Sequence, residues 1–338
     1  SKLSVNEFTV LNSFNLKNFL PNIKESLIFL DHQLLIKYSK ETLYIDGKGN
    51  ILLQDKNDTF TYSLKEKDKI YNFKTSLKIN DNPFKIDFLN FEKDEVLIEL
   101  EGYKNNKNEI NIKFFSIKEK KEKIKLNDLT FNNKFEIIKL NSFFLDYKDK
   151  KDKKNQLKLY PVKNKYILNG PSFNANSLIN NLLFEDTNSN FFKINTKIEI
   201  DIDKIFLDNE YNLFDLEGDI VFKDKEISKA NLNGNFSKDK KLKFILKTKN
   251  KNKFTTLYVD KAEPILDRYK FIKGFKGGSL DFYSKKTGNE SISTIKIYDF
   301  NLKELPVLTK ILTLASLQGI ADLMSGEGIG FDEFEMQF

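Results

Sequence analysis

Cysteine is absent from the 338 residues, which excludes thiol catalysis, disulfide scaffolding and the thiolate zinc sites. His32 is the single histidine. That removes the serine–histidine–aspartate and cysteine–histidine nucleophile systems and any site built on several histidines. Its setting, LIFLDHQLLIKYS, is that of a structural or surface histidine. Arginine is nearly absent as well: Arg268 stands alone among 56 basic residues. Nucleic-acid readers depend on arginine for bidentate contacts. Here the lysines alternate with Asp and Glu, and the wealth of Asn, Ile and Phe points to AT-biased codon usage. The net charge of +7 therefore reads as a solvated surface, and nucleic acid is not an expected partner. Six prolines and no Gly/Ser tract argue against a jointed multidomain chain. No apolar run suffices to cross a bilayer. The ends, SKLSVNEF and FDEFEMQF, read as cuts, so a fragment of a longer protein is expected.

What is present is alternation of period two. In FKINTKIEIDID, residues 192–203, Phe192, Ile194, Ile198, Ile200 and Ile202 share one side with Thr196, while the intervening residues are polar. A strand with one dry and one wet face gives this pattern, and a helix does not. Similar runs cover Leu77–Phe88, Ile110–Ser116, Phe214–Phe222 and Leu242–Thr248. Turn-like clusters separate them: DGKGN at 46–50, NDNP at 80–83, YKNNKN at 103–108, SKDKK at 237–241 and KTGN at 286–289. KEKKEK (118–123) and KDKKDKK (148–154) read as solvated hairpin tips. Few strands are apolar on both faces, so a helix-flanked parallel sheet is not expected. The expected fold is mainly β: a long antiparallel meander, continuous over residues 1–338, whose one apolar face either curls into an open hydrophobic groove or closes into a barrel or sandwich.

Two segments break the alternation and predict helices. One is SFNANSLINNLLF (172–184), after Gly170-Pro171. The other is VLTKILTLASLQGIADLM (307–324), with Pro306 before its first turn and Gly326 past its end. The second is apolar or small almost all round, so it is expected to be buried or lipid-facing, about 27 Å long. Its polar interior residues make it a poor transmembrane span.

Motifs that could carry chemistry mostly do not. Gly326-Glu327-Gly328-Ile329-Gly330 has the wrong spacing for a dinucleotide loop and lies between a helix and a strand in the wrong order. KGFKGGSLDF, around Gly274–Gly278, lacks the following helix of a phosphate loop and reads as entry into a strand near Ser279. Asp201, Asp203 and Asp208 fit no calcium loop. No catalytic residue, cofactor or metal site is expected, although an acid pair for glycoside cleavage stays open.

The second half, about 166–338, resembles the AsmA-like C-terminal region of YhdP-type and TamB-type proteins of Gram-negative bacteria. The residues that carry the resemblance are Gly170-Pro171-Ser172-Phe173-Asn174-Ala175 with Leu178-Ile179, where Asn174 stands for the usual Asp, then Ala262-Glu263-Pro264 with Gly274 through Leu280. The stretch Ile297–Phe334, with its LPVLTKILTLASLQGIADLMSGEGIGFDEF, is the most specific. Residues 1–165 show only compatible strand patterning. The resemblance implies a non-enzymatic bridge, anchored in the inner membrane, whose sheet forms a hydrophobic trough across the periplasm and moves phospholipid towards the outer membrane. The lining is expected to comprise Phe192, Ile194, Ile198, Ile200, Ile202, Phe214, Leu216, Ile220, Phe222, Leu242, Phe244 and Leu246. Leu308, Ile311, Leu312 and Ala315 of the second helix are expected to lie over it. A closed barrel or sandwich would use the same alternation. A non-transporting envelope scaffold that binds partners through its sheet is the other functional reading.

Overall fold

The computed structural model describes residues 2–12, 16–184, 195–208, 210–223, 226–269, 274–288, 290–303 and 328–338. The helix expected over 307–324 lies outside them. Strands hold 73% of the described residues, antiparallel and not closed into a barrel. The chain divides into two compact units, Ser1–Asn195 and Thr196–Phe338, a division later in sequence than the 165/166 boundary drawn from the resemblance.

Among the described residues the first unit is a meander of eleven strands. In chain order these are β1 (Lys2–Leu11), β2 (Ser26–Ser39), β3 (Thr42–Leu52), β4 (Asn57–Lys67) and β5 (Ile70–Ile79), then β8 (Val96–Lys104), β9 (Ile110–Glu119), β10 (Glu122–Phe131), β11 (Ile137–Lys148), β12 (Lys154–Val162) and β13 (Lys165–Asn174). Each pairs antiparallel with the strand before it. A small separate hairpin of β6 (Phe84–Ile86) and β7 (Phe91–Lys93), with a 3-10 turn at Asp87–Leu89 between them, interrupts the meander after β5. Helix α1 (Asn176–Phe184) follows β13. Two-residue turns at Lys40-Glu41 and Asp68-Lys69 have positive φ at both positions, a conformation whose twist matches that of the strands they join.

The second unit is, among the described residues, a meander of eight: β14 (Thr196–Phe206), β15 (Asn212–Lys223), β16 (Glu226–Ser237), β17 (Lys240–Lys249), β18 (Asn252–Val259), β19 (Phe275–Thr287), β20 (Glu290–Leu302) and β21 (Ile329–Gln337). Helix α2 (Glu263–Tyr269) packs on β19.

Several local expectations are corrected. Residues 46–50 are not a turn but the middle of β3. Gly47 and Gly49 stand there because the Tyr62 and His32 rings cover them: a Cβ on Gly49 would lie 2.4 Å from His32 Cδ2. The run from Leu77 to Phe88 is not one strand, since β5 stops at Ile79 and the chain turns into the small hairpin. The first helix begins at Asn176 and not at 172, because residues through Asn174 still pair in β13 and the Asn174 side chain accepts the Asn176 N–H at 3.2 Å as a cap. Helix α2 was not expected. Seven residues are too few for a periodic signal, though Pro264 in its first turn was a cue. Strand β19 starts at Phe275, ahead of Ser279.

Alternation is also less strict than the sequence suggests. Asp31, Asp128, Asp215 and Asp299 sit inside β2, β10, β15 and β20 with φ of 52°, 48°, 52° and 52°. Aspartate enters this left-handed region at lower cost than most residues. At each one the side chains on the buried face of that strand change parity. Ile124 and Leu126 give way to Leu129 and Phe131 in β10, opposite Ile117 and Phe115, then Ile112 and Ile110, in β9. Leu129 and Ile112 still pack with Leu126 and Phe115, so the apolar face is continuous across the fault.

Asp215 provides a test. A valine there forces a β-branched residue into the left-handed region, with an expected loss of about 1–2 kcal/mol. Asp215→Gly is expected to stay near wild type. Urea denaturation of the two variants reads the difference, and a valine variant as stable as wild type would show that Asp215 does not set the shift.

Candidate functional site

Cross-strand partners in an antiparallel sheet share a face, so the registers trace rows of side chains across many strands. In the first unit one row runs Phe60, Leu77, Ile98, Ile117, Ile124, Leu145, Leu157. A second runs Leu100, Phe115, Leu126, Phe143, Leu159, Leu168. They differ in burial. In the first row Ile117, Ile124, Leu145 and Leu157 are 1–5% exposed and Phe60, Leu77 and Ile98 are half-buried, whereas every member of the second is only half-buried. The second row is apolar across six strands and remains partly open.

The first row lies nearest the edge from which the connections 12–25 and 80–95 and helix α1 emerge. Phe84, Ile86, Leu89 and Phe91 of the small hairpin are buried. The Phe91 ring meets Tyr147 edge-on at 5.1 Å, and the Tyr147 hydroxyl donates to the Leu89 carbonyl. Lys93 reaches Glu119 at 3.0 Å and Glu122 at 2.7 Å, tying the hairpin to the β9–β10 turn. Polar side chains complete this cover. Asp58 Oδ1 accepts the Asn80 N–H and the Asn82 amide, both at 2.9 Å, and Asn82 also donates to the Lys56 carbonyl at 2.8 Å. Gln54 donates to the Pro83 carbonyl at 3.0 Å and accepts the Asn22 N–H at 3.1 Å. The GPSFNA segment belongs to the same edge: Ser172 donates to the Lys154 carbonyl at 2.7 Å, and Asn174 donates to Asp149 at 2.6 Å. Its motif residues are thus structural.

In the second unit the expected lining residues largely converge. Ile198 pairs with Ile220, then Ala230 and Leu246 follow in the row. Ile200 begins a row through Gly218, Leu232, Phe244, Leu257, Phe282 and Ile295. Ile202 pairs with Leu216, and Leu242 continues that level through Val259, Leu280 and Ile297. Phe222 extends the Ile220 side of β15 and pairs with Thr196. Phe214 does not belong. The left-handed Asp215 turns it away with Lys204, leaving it 37% exposed, while Leu213 and Ile205 take the buried places. The Lys204 ammonium lies 5.5 Å from the Phe214 ring centre. Phe192, Ile194, Leu308, Ile311, Leu312 and Ala315 lie outside the described residues. The other face is charged: Lys296 holds Glu335 at 2.8 Å and Glu333 at 3.4 Å, and Lys197 holds Glu199 at 3.0 Å.

No lining residue was named in the first unit from sequence, although Ile110–Ser116 was read as an alternating run and VLIELEGY carries the same alternation. His32 is fully buried between Phe8, Phe29 and Tyr62, with Nε2 2.9 Å from the Asn50 carbonyl. Arg268 donates from α2 to the Leu207 carbonyl. Tyr211 donates to Asp267 at 2.7 Å, and burial together with that carboxylate pushes its hydroxyl pKa up. Among the described residues no three His, Asp or Glu side chains converge on a metal site, and no helix is long and apolar enough to cross a membrane.

Burial raises the Asp58 pKa above the ordinary 3.8, against the opposing pull of the Asn80 and Asn82 donors. A raised folded-state pKa means that its stabilising contribution is full below pH 3.8 and is lost as pH rises through the folded value. Asp58→Asn is therefore expected to flatten the fall in stability with rising pH, relative to wild type. Denaturation curves on both proteins across the acid range check this, and identical pH slopes would contradict it. No family model, no curated protein and no solved structure matches the chain.

Proposed function

We propose that the chain binds and carries phospholipid on its apolar sheet faces, without catalysing a reaction. The observation that carries this reading is the half-buried row Leu100, Phe115, Leu126, Phe143, Leu159 and Leu168. Soluble proteins rarely leave apolar rows open over such a length, because patches beyond a few hundred Å² mark binding sites or cause aggregation. Acyl chains match such a row in chemistry and in extent. They need no directional hydrogen bonds, which accords with the lack of polar groups along it. The resemblance of residues 166–338 to AsmA-like regions supports the wider setting: transport between inner and outer membrane through a periplasmic groove, in a protein anchored in the inner membrane.

A second reading rests on β1. This edge strand is exposed along most of its length, with Leu3 48%, Val10 43% and Leu11 79% exposed. Such an edge can pair with a strand of another protein, as an envelope scaffold would require.

Two residues of one strand separate the readings. Ile124 is 2% exposed, and Leu126, its next neighbour on the same face, is half-buried. Ile124→Asp is expected to cost about 4 kcal/mol or more and to unfold the unit. Leu126→Asp should cost about 1–2 kcal/mol and keep the circular dichroism of a β protein, yet lose phospholipid that co-purifies with wild type. Lipid extraction and native mass spectrometry give the readout. A wild-type chain that purifies lipid-free and monodisperse would sink the lipid reading in favour of the scaffold.

A further inference from the structure

Because each strand of the first meander reverses the one before it, the β2–β3, β4–β5, β8–β9, β10–β11 and β12–β13 turns all emerge on one edge. The opposite edge carries the folded connections described above. On the tight-turn edge, aromatic side chains stand in solvent: Tyr38 is 73% exposed, Phe135 66% and Tyr71 40%. Around them the turn segments 39–42, 67–71, 104–109, 132–136 and 163–165 hold eight lysines against four carboxylates.

Phe135 comes with a control inside the same molecule. Residues 105–109 read NNKNE and residues 132–136 read NNKFE. The two turns are built alike. Asn105 Oδ1 accepts the N–H groups of Lys107 and Glu109, both at 3.0 Å, and its amide donates to the Glu109 carboxylate at 2.8 Å. Asn132 Oδ1 accepts those of Lys134 and Glu136 at 2.9 and 3.0 Å, and its amide donates to the Glu136 carboxylate at 2.7 Å. They differ only at the fourth position, which is left-handed in both: Asn108 has φ of 61° and Phe135 of 59°. Asparagine tolerates this conformation, whereas a bulky aromatic there is strained. The fold offers little burial in exchange, since the residue is 66% exposed. A strained backbone that holds a large apolar group out in solvent is a functional signature.

We infer that this edge docks on an anionic lipid bilayer, with Phe135 entering the interface and Tyr38 and Tyr71 at headgroup level. Aromatic rings favour that depth. Lysines beside an apolar anchor draw a protein to anionic headgroups, over a range set by salt. The occupant is a membrane surface, and the inference holds whether or not the sheet face carries lipid.

The chain contains no tryptophan, so Phe135→Trp supplies a unique reporter. With vesicles of phosphatidylethanolamine and phosphatidylglycerol, its emission should shift to the blue; with pure phosphatidylcholine it should not. Phe88→Trp, on the opposite edge, should not respond to either. Phe135→Asn copies the sister turn, so it should keep or raise the unfolding midpoint while weakening vesicle co-sedimentation about tenfold. Leu126→Asp should co-sediment like wild type, which separates docking from cargo. Unchanged Phe135→Trp emission with the anionic vesicles, as expected if the edge instead binds a protein, would overturn the inference. So would a Phe135→Asn chain that co-sediments like wild type.

Discussion

Everything in this molecule depends on the antiparallel ladder between strands adjacent in sequence. Among the described residues of each unit the meander strands pair only with their neighbours in that order. The ladder satisfies the backbone polar groups of interior strands. It leaves the face of the sheet to be settled by side chains alone. One face is apolar, and in the first unit its rows differ in cover: Ile117, Ile124, Leu145 and Leu157 are buried towards the edge where the small hairpin and its polar network lie, and the row beyond is only half-buried. The contrast between Ile124 and Leu126, two residues apart, condenses that difference.

Much of this was legible in the sequence, because period two is the one signal a sheet with a dry and a wet side must write. Ile198, Ile200, Ile202, Ile220, Phe244 and Leu246 were placed on a shared face by alternation, and the registers agree. Alternation failed where it was interrupted by single residues. Asp215 reads as one more polar residue, yet its left-handed backbone moves Phe214 off the face and Leu213 onto it. Gly47 and Gly49 read as turn formers. Their reason for being in a strand is the pair of rings above them, contributed by residues in β2 and β4, and no local rule can see that. Helix α2 was missed because its stability comes from packing of Leu266 and Ala262 and from tertiary bonds of Arg268, with little periodicity of its own.

The polar cover of the first unit shows how short side chains organise irregular backbone. Asp58, Asn82, Gln54, Asn155 and Asn174 are all essentially buried; the first four each close a hydrogen bond to a main-chain group of another segment, and Asn174 donates to the Asp149 carboxylate. These residues also favour turns, so in the sequence they look like loop punctuation. Their long-range partners became visible only once the strands were in register.

The paired turns at 105–109 and 132–136 bear on how such a chain acquires its length. Each closes a hairpin of similar size, β8–β9 and β10–β11, and the hairpins lie side by side with the same turn chemistry. In a sheet whose strands pair with their neighbours, a duplicated hairpin can be inserted without breaking any other ladder, since the new strands restore the same two borders that they separate. A gene of this kind can lengthen in steps of two strands, each step adding roughly 10 Å of apolar face at about 4.8 Å per strand. After such a duplication one copy is free to keep asparagine at the tip, as at Asn108, while the other takes up a new side chain, as at Phe135.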